Sequence, residues 1–577
     1  MKKSVLNISF FALVIASLVF IYGSMDIKEN KAVTQVKEKQ ETIVPVQKLD
    51  VMINESKAKY SFNKINLFEI QSIPFTKNDI NRDIKKAANL KIDKTALSDL
   101  FRNKNPYITL TLPVDSKNSL TLELKEVQLL SDDFKLASGT SGVQSFNKGI
   151  YYRGIVNGEE NSIAAISIFE NLVMGVVSSE AGTFNIGPVN DNSNNTNYII
   201  YNEKDLLVDN EFICKVDGLD MHLYKTDDNH SSHKETGDAI TARLPVKIYI
   251  EADYKLYQDK GSDINAVGNF VSGFYNSVAA IYQNEFIPVQ ISSIVVWDTP
   301  DPYRFLSDSY DYLLKFGGNK RDNFNGDLAQ LLSSRTLNLG GIAWIGMLCG
   351  SFNTQDSSGR FSFCNIDPTY YSYPTYSWTV MVATHELGHN FGSMHTHACW
   401  WPTRINAITS IDSCYFAEGN CFSGTRPATG TIMSYCHLQE ANGGSIDPRL
   451  GFGSMPGDTI RLRYNQCSKF GGVINSSEVP TVFALMQNFP NPFNPTTTIR
   501  VALPENSSVT LKVYDINGRE VATLLNNESY STGVLNYVFN SGAYNLSSGV
   551  YFYKVFASDQ STRALKFTEV KRMILLK

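Results

Sequence analysis

The sequence predicts a multidomain α+β chain, with a β-rich N-terminal part, a middle α/β domain and a small C-terminal β-sandwich. Three observations carry this. The length, 577 residues, exceeds what one hydrophobic core organises. The hydrophobic period runs from strand-like alternation, through a mixture of strand and helix, back to alternation. Two polar stretches, KTDDNHSSHKETGD at 225–238 and GGVINSSEVP at 471–480, separate these textures.

At the start, residues 1–24 place two lysines before an apolar run from Ile8 to Tyr22, followed by Gly23 and Ser24. That order predicts a secretory signal peptide, and so a mature protein without a transmembrane helix. An uncleaved anchor is the competing reading, and Asn7, Ser9 and Ser17 weaken it. Residues 25–238 open with a charged lead-in and become β-rich from about residue 60. SLTLELKEVQLL, YYRGIVNGEENSIAAISIFENLVMGVVSS and GTFNIGP read as successive strands, with tight turns at Asn157-Gly158 and Glu170-Asn171.

Residues 239–470 form the α/β domain. PVKIYI, IPVQISSIVVW and GGIAWIGML read as strands, and Ile264, Val267, Phe270, Val271, Phe274, Val278 and Ile281 mark one face of a helix. SWTVMVATHELGHN has helical spacing, with Ser377 as its N-cap. After a linker at 471–483, residues 484–577 form the sandwich. VTLKVYDINGREVATLL is a hairpin turning at Asn517-Gly518, and GVYFYKVF is a further strand.

Lys and Arg number 52 and Asp and Glu 57, giving a formal net charge of −5 without a dense basic block. This excludes a nucleic-acid partner. Of eight cysteines, seven lie between Cys349 and Cys467, so disulfides are expected there once the chain is exported. Their pairing is not legible.

The segment Thr384 to His397, THELGHNFGSMHTH, carries four of the eight histidines. His385 and His389 project from one helix face and can reach one ion. Gly392 can end the helix with a positive φ and return His395 to the same point. Three neutral imidazoles with an open fourth position make a catalytic type of zinc site. Glu386 is placed to take the proton of a water on that ion. His397 is the other candidate for third ligand, disfavoured by spacing.

HELGHNFGSMH resembles the zinc signature of the metzincin metalloproteases, and GTIMSYC resembles their Met-turn, with Met433 as an apolar base that does not ligate. GGIAWIGMLC resembles the strand of the reprolysin (adamalysin) branch that edges the cleft and receives an extended substrate. YYRGIVNGEENSIAAISIFENLVMGVV is similar to reprolysin propeptides. The resemblance implies a zincin-type catalytic domain at 239–470, a propeptide at 25–238, one Zn2+, and peptide-bond hydrolysis. Thr396 departs from the usual Asp after the third histidine. Tyr435 stands where astacins and serralysins place a tyrosine that contacts zinc or the oxyanion, with plain packing as the alternative. Cys214 is either a thiolate switch on the open zinc position, which leaves one of the other seven cysteines unpaired, or a disulfide partner, which settles the count. No spacing specifies a Ca2+ site, so calcium stays open.

QNFPNPFNPTTTIRVALPE, the hairpin, NLSSGVYFYKV and the basic KRMILLK together resemble the C-terminal sorting domain of the type IX secretion system. This implies passage through that machinery to the cell surface or the medium. The expected function is a secreted zinc endopeptidase made as a zymogen and acting on protein or peptide substrates. The alternative is a surface adhesin that keeps a non-catalytic zincin fold.

Overall fold

The computed structural model describes residues 44–575 apart from short stretches, of which 217–240 and 472–482 are the longest. The expected signal peptide, the polar stretch at 225–238 and most of the second linker lie outside the described residues. No described helix is long and apolar enough to cross a membrane.

The N-terminal region builds a ten-stranded sheet. One inner strand, Ile150–Val156, is buried along its whole length, and the alternation of its side chains explains why. Ile150, Tyr152 and Val156 join a core formed within this region. Tyr151 and Ile155 point the other way, into the core of the following domain. Arg153 shares that second face: its Nε donates to Asn276 Oδ1 at 2.9 Å and its Nη1 to Gln283 Oε1 at 3.1 Å. Burial brings the guanidinium pKa down to about 9, since neutral amides rather than a carboxylate receive it. Both amides stand on the helix Ile264–Asn284, which Asp263 caps and which is buried for most of its length.

The middle domain has a seven-stranded sheet whose five inner strands run parallel, four of them from this domain: Phe361–Asn365, Leu328–Ser333, Val246–Ala252 and Val289–Val296. Two of these, Leu328–Ser333 and Phe361–Asn365, went unmarked in the sequence. GGIAWIGML, read as a full strand, pairs only at Ile342–Ala343. Past Trp344 the donors turn away: Gly346 N bonds the His389 carbonyl at 2.8 Å and Leu348 N the Asn390 carbonyl at 3.0 Å. Asn390 Nδ2 completes the tie by donating to the carbonyls of Trp344 and Phe361, both at 2.9 Å.

The sheet does not stop at the polar stretch. Leu130–Ser138, from the N-terminal region, pairs parallel with Val289–Val296 and adds a strand to the middle domain. Gly142–Gln144 follows it antiparallel at the edge. A division at residue 238 therefore separates segments of chain but not sheets.

Ser377, expected as N-cap, lies inside the helix Tyr376–Asn390, whose N-cap residue Thr375 makes no side-chain cap bond. The orphan amide is satisfied from outside. Asn185, on strand Gly182–Pro188, accepts from Ser377 N at 2.8 Å and donates to Ser377 Oγ at 3.0 Å. Asn185→Ala should leave a buried N–H without a partner and cost about 1–3 kcal/mol. A lower urea midpoint with unchanged slope would register that loss; an unchanged midpoint would refute the capping role.

The C-terminal region has a three-stranded and a four-stranded sheet that share one apolar core, including Val501, Leu511, Val555 and Met573. Its hairpin turns at Asn517-Gly518, with Gly518 at φ 76° and Asp515 Oδ1 accepting from Asn517 N and Arg519 N.

Candidate active site

All residues of the helix Tyr376–Asn390 are buried, so the side chains on its last turns are held on every side. Gly392 takes φ 95°, Ser393 N bonds the Gly388 carbonyl at 3.0 Å, and the chain folds back to bring His395 beside the helix.

The Nε2 atoms of His385, His389 and His395 converge, with separations of 3.1 to 3.2 Å. Their Nδ1 atoms are engaged elsewhere: His385 with the Ile432 carbonyl at 2.8 Å, His389 with the Ser393 carbonyl at 2.7 Å and His395 with Glu418 Oε1 at 2.6 Å. Each of those oxygens accepts, so each Nδ1 carries its ring's proton and each Nε2 presents a bare lone pair. Three lone pairs facing one another cannot be hydrogen bonds, and they call for a cation. A tetrahedral ion with nitrogens at about 2.0–2.1 Å holds them about 3.3 Å apart, close to what is seen. Burial, then mutual repulsion, hold His385 and His389 well below the ordinary imidazole range, which keeps them in the neutral ligand form.

Glu386 is fully buried, its Oε1 has no hydrogen-bond partner among the described residues, and its Oε2 lies 3.5 Å from Cys214 Sγ. Burial pushes its carboxyl well above the usual range, and a cation nearby would act in the opposite direction. Gly341 makes room for it: a Cβ there would fall 1.9 Å from Oε1.

Met433 lies under the helix between the two histidines, since a Cβ on Gly388 would sit 2.8 Å from its sulfur. The same turn supplies the Ile432 carbonyl to His385 and the Met433 carbonyl to Thr396 N, at 3.0 Å. Thr396 thus ties the third histidine's backbone to the Met-turn. Tyr435 is fully buried; its hydroxyl accepts from Cys214 N at 2.8 Å, donates to the Cys214 carbonyl at 2.9 Å and lies 3.3 Å from His395 Nε2.

The segment Phe212–Val216 runs through the cleft. Cys214 groups with the three histidines, their ligand atoms all within 4.8 Å of one another. Lys215 N bonds the Gly341 carbonyl at 2.9 Å, beside the outer strand Ile342–Ala343. The Phe212 ring stands edge-on to His385 at 5.4 Å, and its carbonyl accepts from His437 Nε2 at 2.9 Å.

Disulfides join Cys349 to Cys467, Cys399 to Cys421 and Cys414 to Cys436. Cys214 and Cys364 keep their thiols, both buried. The odd cysteine that made a disulfide for Cys214 attractive is therefore Cys364, whose thiol burial raises well above its usual range. His397 is buried against His395, and both approach Glu418. Sequence reasoning missed Glu418 and Phe212, which no fixed spacing links to the histidine motif.

Residues 243–442 match the reprolysin model of metallopeptidase family M12, and residues 487–567 match the secretion system C-terminal sorting domain. Disintegrin and metalloproteinase domain-containing protein 10 of Mus musculus is 22% identical over 321 residues, covering 47% of this chain and 42% of that protein. The zinc metalloproteinase-disintegrin-like kaouthiagin-like protein of Naja atra is 24% identical over 307 residues, covering 50% and 46%. The chain thus spans less than half the length of these curated relatives. The crystal structure of metalloproteinase-II from Bacteroides fragilis aligns over 58% of this chain and 88% of that one, at 10% identity and a TM-score of 0.30, too low to speak for the fold. Residues 243–442 are thus similar to metallopeptidase family M12, and residues 487–567 to the secretion-system sorting domains.

Proposed function

We propose that the chain is a secreted zinc endopeptidase made as a zymogen. The observation that carries this is the convergence of three bare imidazole nitrogens beside a buried carboxylate with an unpartnered oxygen. His385, His389 and His395 would hold zinc. Zinc bound there supplies a polarised substrate carbonyl and a water made acidic near neutral pH. Glu386 takes the proton of the attacking water and delivers it to the leaving amine. Met433 supports the histidine helix from below, and the Tyr435 hydroxyl donates to the developing oxyanion once Cys214 has left. A protein substrate lies extended along Gly341–Ala343, using the carbonyl that now receives Lys215 N.

In this reading residues 1–24 are the signal peptide, 25–238 the propeptide, 239–470 the zincin-type catalytic domain and 484–577 the β-sandwich read by the type IX machinery, joined by the linker at 471–483. Cys214 would hold the ion together with the histidines while the propeptide remains in place, since its sulfur lies among the three histidines and soft sulfur suits the ion. The Tyr435, Gly341 and His437 hydrogen bonds hold the segment's backbone there.

The test is cleavage of an unstructured protein by the processed enzyme. A chelator should abolish it, and added zinc should restore it in proportion to the metal bound. Zinc-independent cleavage would sink the mechanism. Stoichiometric zinc without cleavage would favour the adhesin.

A further inference from the structure

Glu418 reaches the site from a loop that leaves at Cys399 and returns at Cys421, closed by the disulfide between them. Its backbone is fixed: Ala398 and Glu418 form a β-bridge, Cys399 N donates to the Glu418 carbonyl at 2.9 Å, and Glu418 N donates to the His397 carbonyl at 3.2 Å. So held, one carboxylate oxygen, Oε1, lies 2.6 Å from His395 Nδ1 and 2.7 Å from His397 Nε2. The two imidazoles stack with centroids 4.9 Å apart and planes 11° apart. His397 is fully buried, and the Glu418 side chain is only 19% exposed.

The three histidines of the site are not equivalent. His385 and His389 give their Nδ1 protons to backbone carbonyls, whereas His395 gives its proton to a carboxylate. A charge-assisted bond of this kind is roughly twice as strong as a neutral one and makes the opposite ring nitrogen a better donor to a metal. His395 also needs such support most. Its neighbours stand on a buried helix, while His395 lies beyond the turn at Gly392.

We propose that Glu418 is a positioning residue of the metal centre, fixing the tautomer and tilt of His395 and strengthening it as a ligand. His397 packs against the His395 ring and lies against the same carboxylate oxygen. The inference rests on the zinc reading above, and adds a side chain that is not itself a ligand to the set on which the affinity of the centre depends.

Zinc affinity of the full-length chain, measured by competition with a chromophoric chelator, tests this without reference to turnover. Glu418→Ala should weaken zinc by about 10–100-fold, the usual cost of losing such a partner. Glu418→Gln should lose less, because its amide oxygen still accepts from Nδ1. The Tm of both variants without metal should equal that of the metal-free parent, a result that a mere loop brace would not give. Zinc bound as tightly by both variants as by the parent would overturn the proposal, as would a lowered metal-free Tm with unchanged zinc affinity. Two zinc ions per parent chain, with only the second lost in the variants, would also overturn it and make His397 and Glu418 a site of their own. Should Glu418→Ala fail to fold, Glu418→Gln decides. A parent that binds no zinc removes the underlying reading as well, whereas a zinc-binding parent with indifferent variants removes only this inference.

Discussion

Glu386→Ala is expected to keep its zinc and to lose peptide hydrolysis by about 10²–10⁴-fold, the span that a positioned general base contributes. The geometry separates the two effects. Glu386 is not among the grouped ligand atoms of Cys214 and the three histidines, and its Oε1 makes no bond that folding needs. Removing the side chain even relieves a buried carboxylate of its desolvation cost, so the variant should be no less stable than the parent. Metal content by atomic absorption and kcat/KM on one peptide, measured on the same preparations, decide the matter. Zinc lost together with activity would make Glu386 a ligand, and activity retained would move the proton transfer to another group.

Cys214→Ala should have the second large effect, in the opposite direction. In the unprocessed chain the thiol stands among the three histidines, and the backbone around it makes separate bonds to Tyr435, Gly341 and His437. Those bonds survive the substitution and contribute about 1 kcal/mol each, whereas in the reading proposed above a ligand to the metal is lost. Weakening the latch by about 3 kcal/mol raises the open fraction, and with it the activity of the intact chain, about 100-fold. The measurement is the initial rate of peptide cleavage by chain shown on a gel to be uncut. If that rate stays at the parent's, the backbone bonds alone enforce latency and the thiol is a bystander.

The histidine site was legible because its geometry is local. His385, Glu386 and His389 share one helix, and a single glycine decides where His395 falls. Residues that arrive from elsewhere were harder. Cys214 could be singled out only as the one cysteine ahead of the crowd, and parity argued against it until Cys364 proved to be the thiol left over. Glu418 enters through a disulfide-closed loop, and no periodicity encodes which of its acids, Asp412 or Glu418, faces a histidine. Leu130–Ser138 escaped notice because Asp132 and Asp133 interrupt its apolar pattern, and only pairing with Val289–Val296 makes it a strand. The GGIAWIGML segment erred in the other direction. Its apolar run is real, but its amides are taken by the end of the active-site helix.

The added strand has a consequence for the history of each molecule. Leu130–Ser138 leaves the ribosome well before its partner, so it stays without its parallel neighbour until Val289–Val296 emerges. Parallel pairing over so long a loop is slow. The same arrangement sets a limit at the other end of the protein's life. A protease stripped of residues 44–216 would bare Val289–Val296 as an open apolar edge, an invitation to stick to its neighbours. Full release would therefore start a clock on the enzyme, because the part of the chain that is removed is the part that covers the edge.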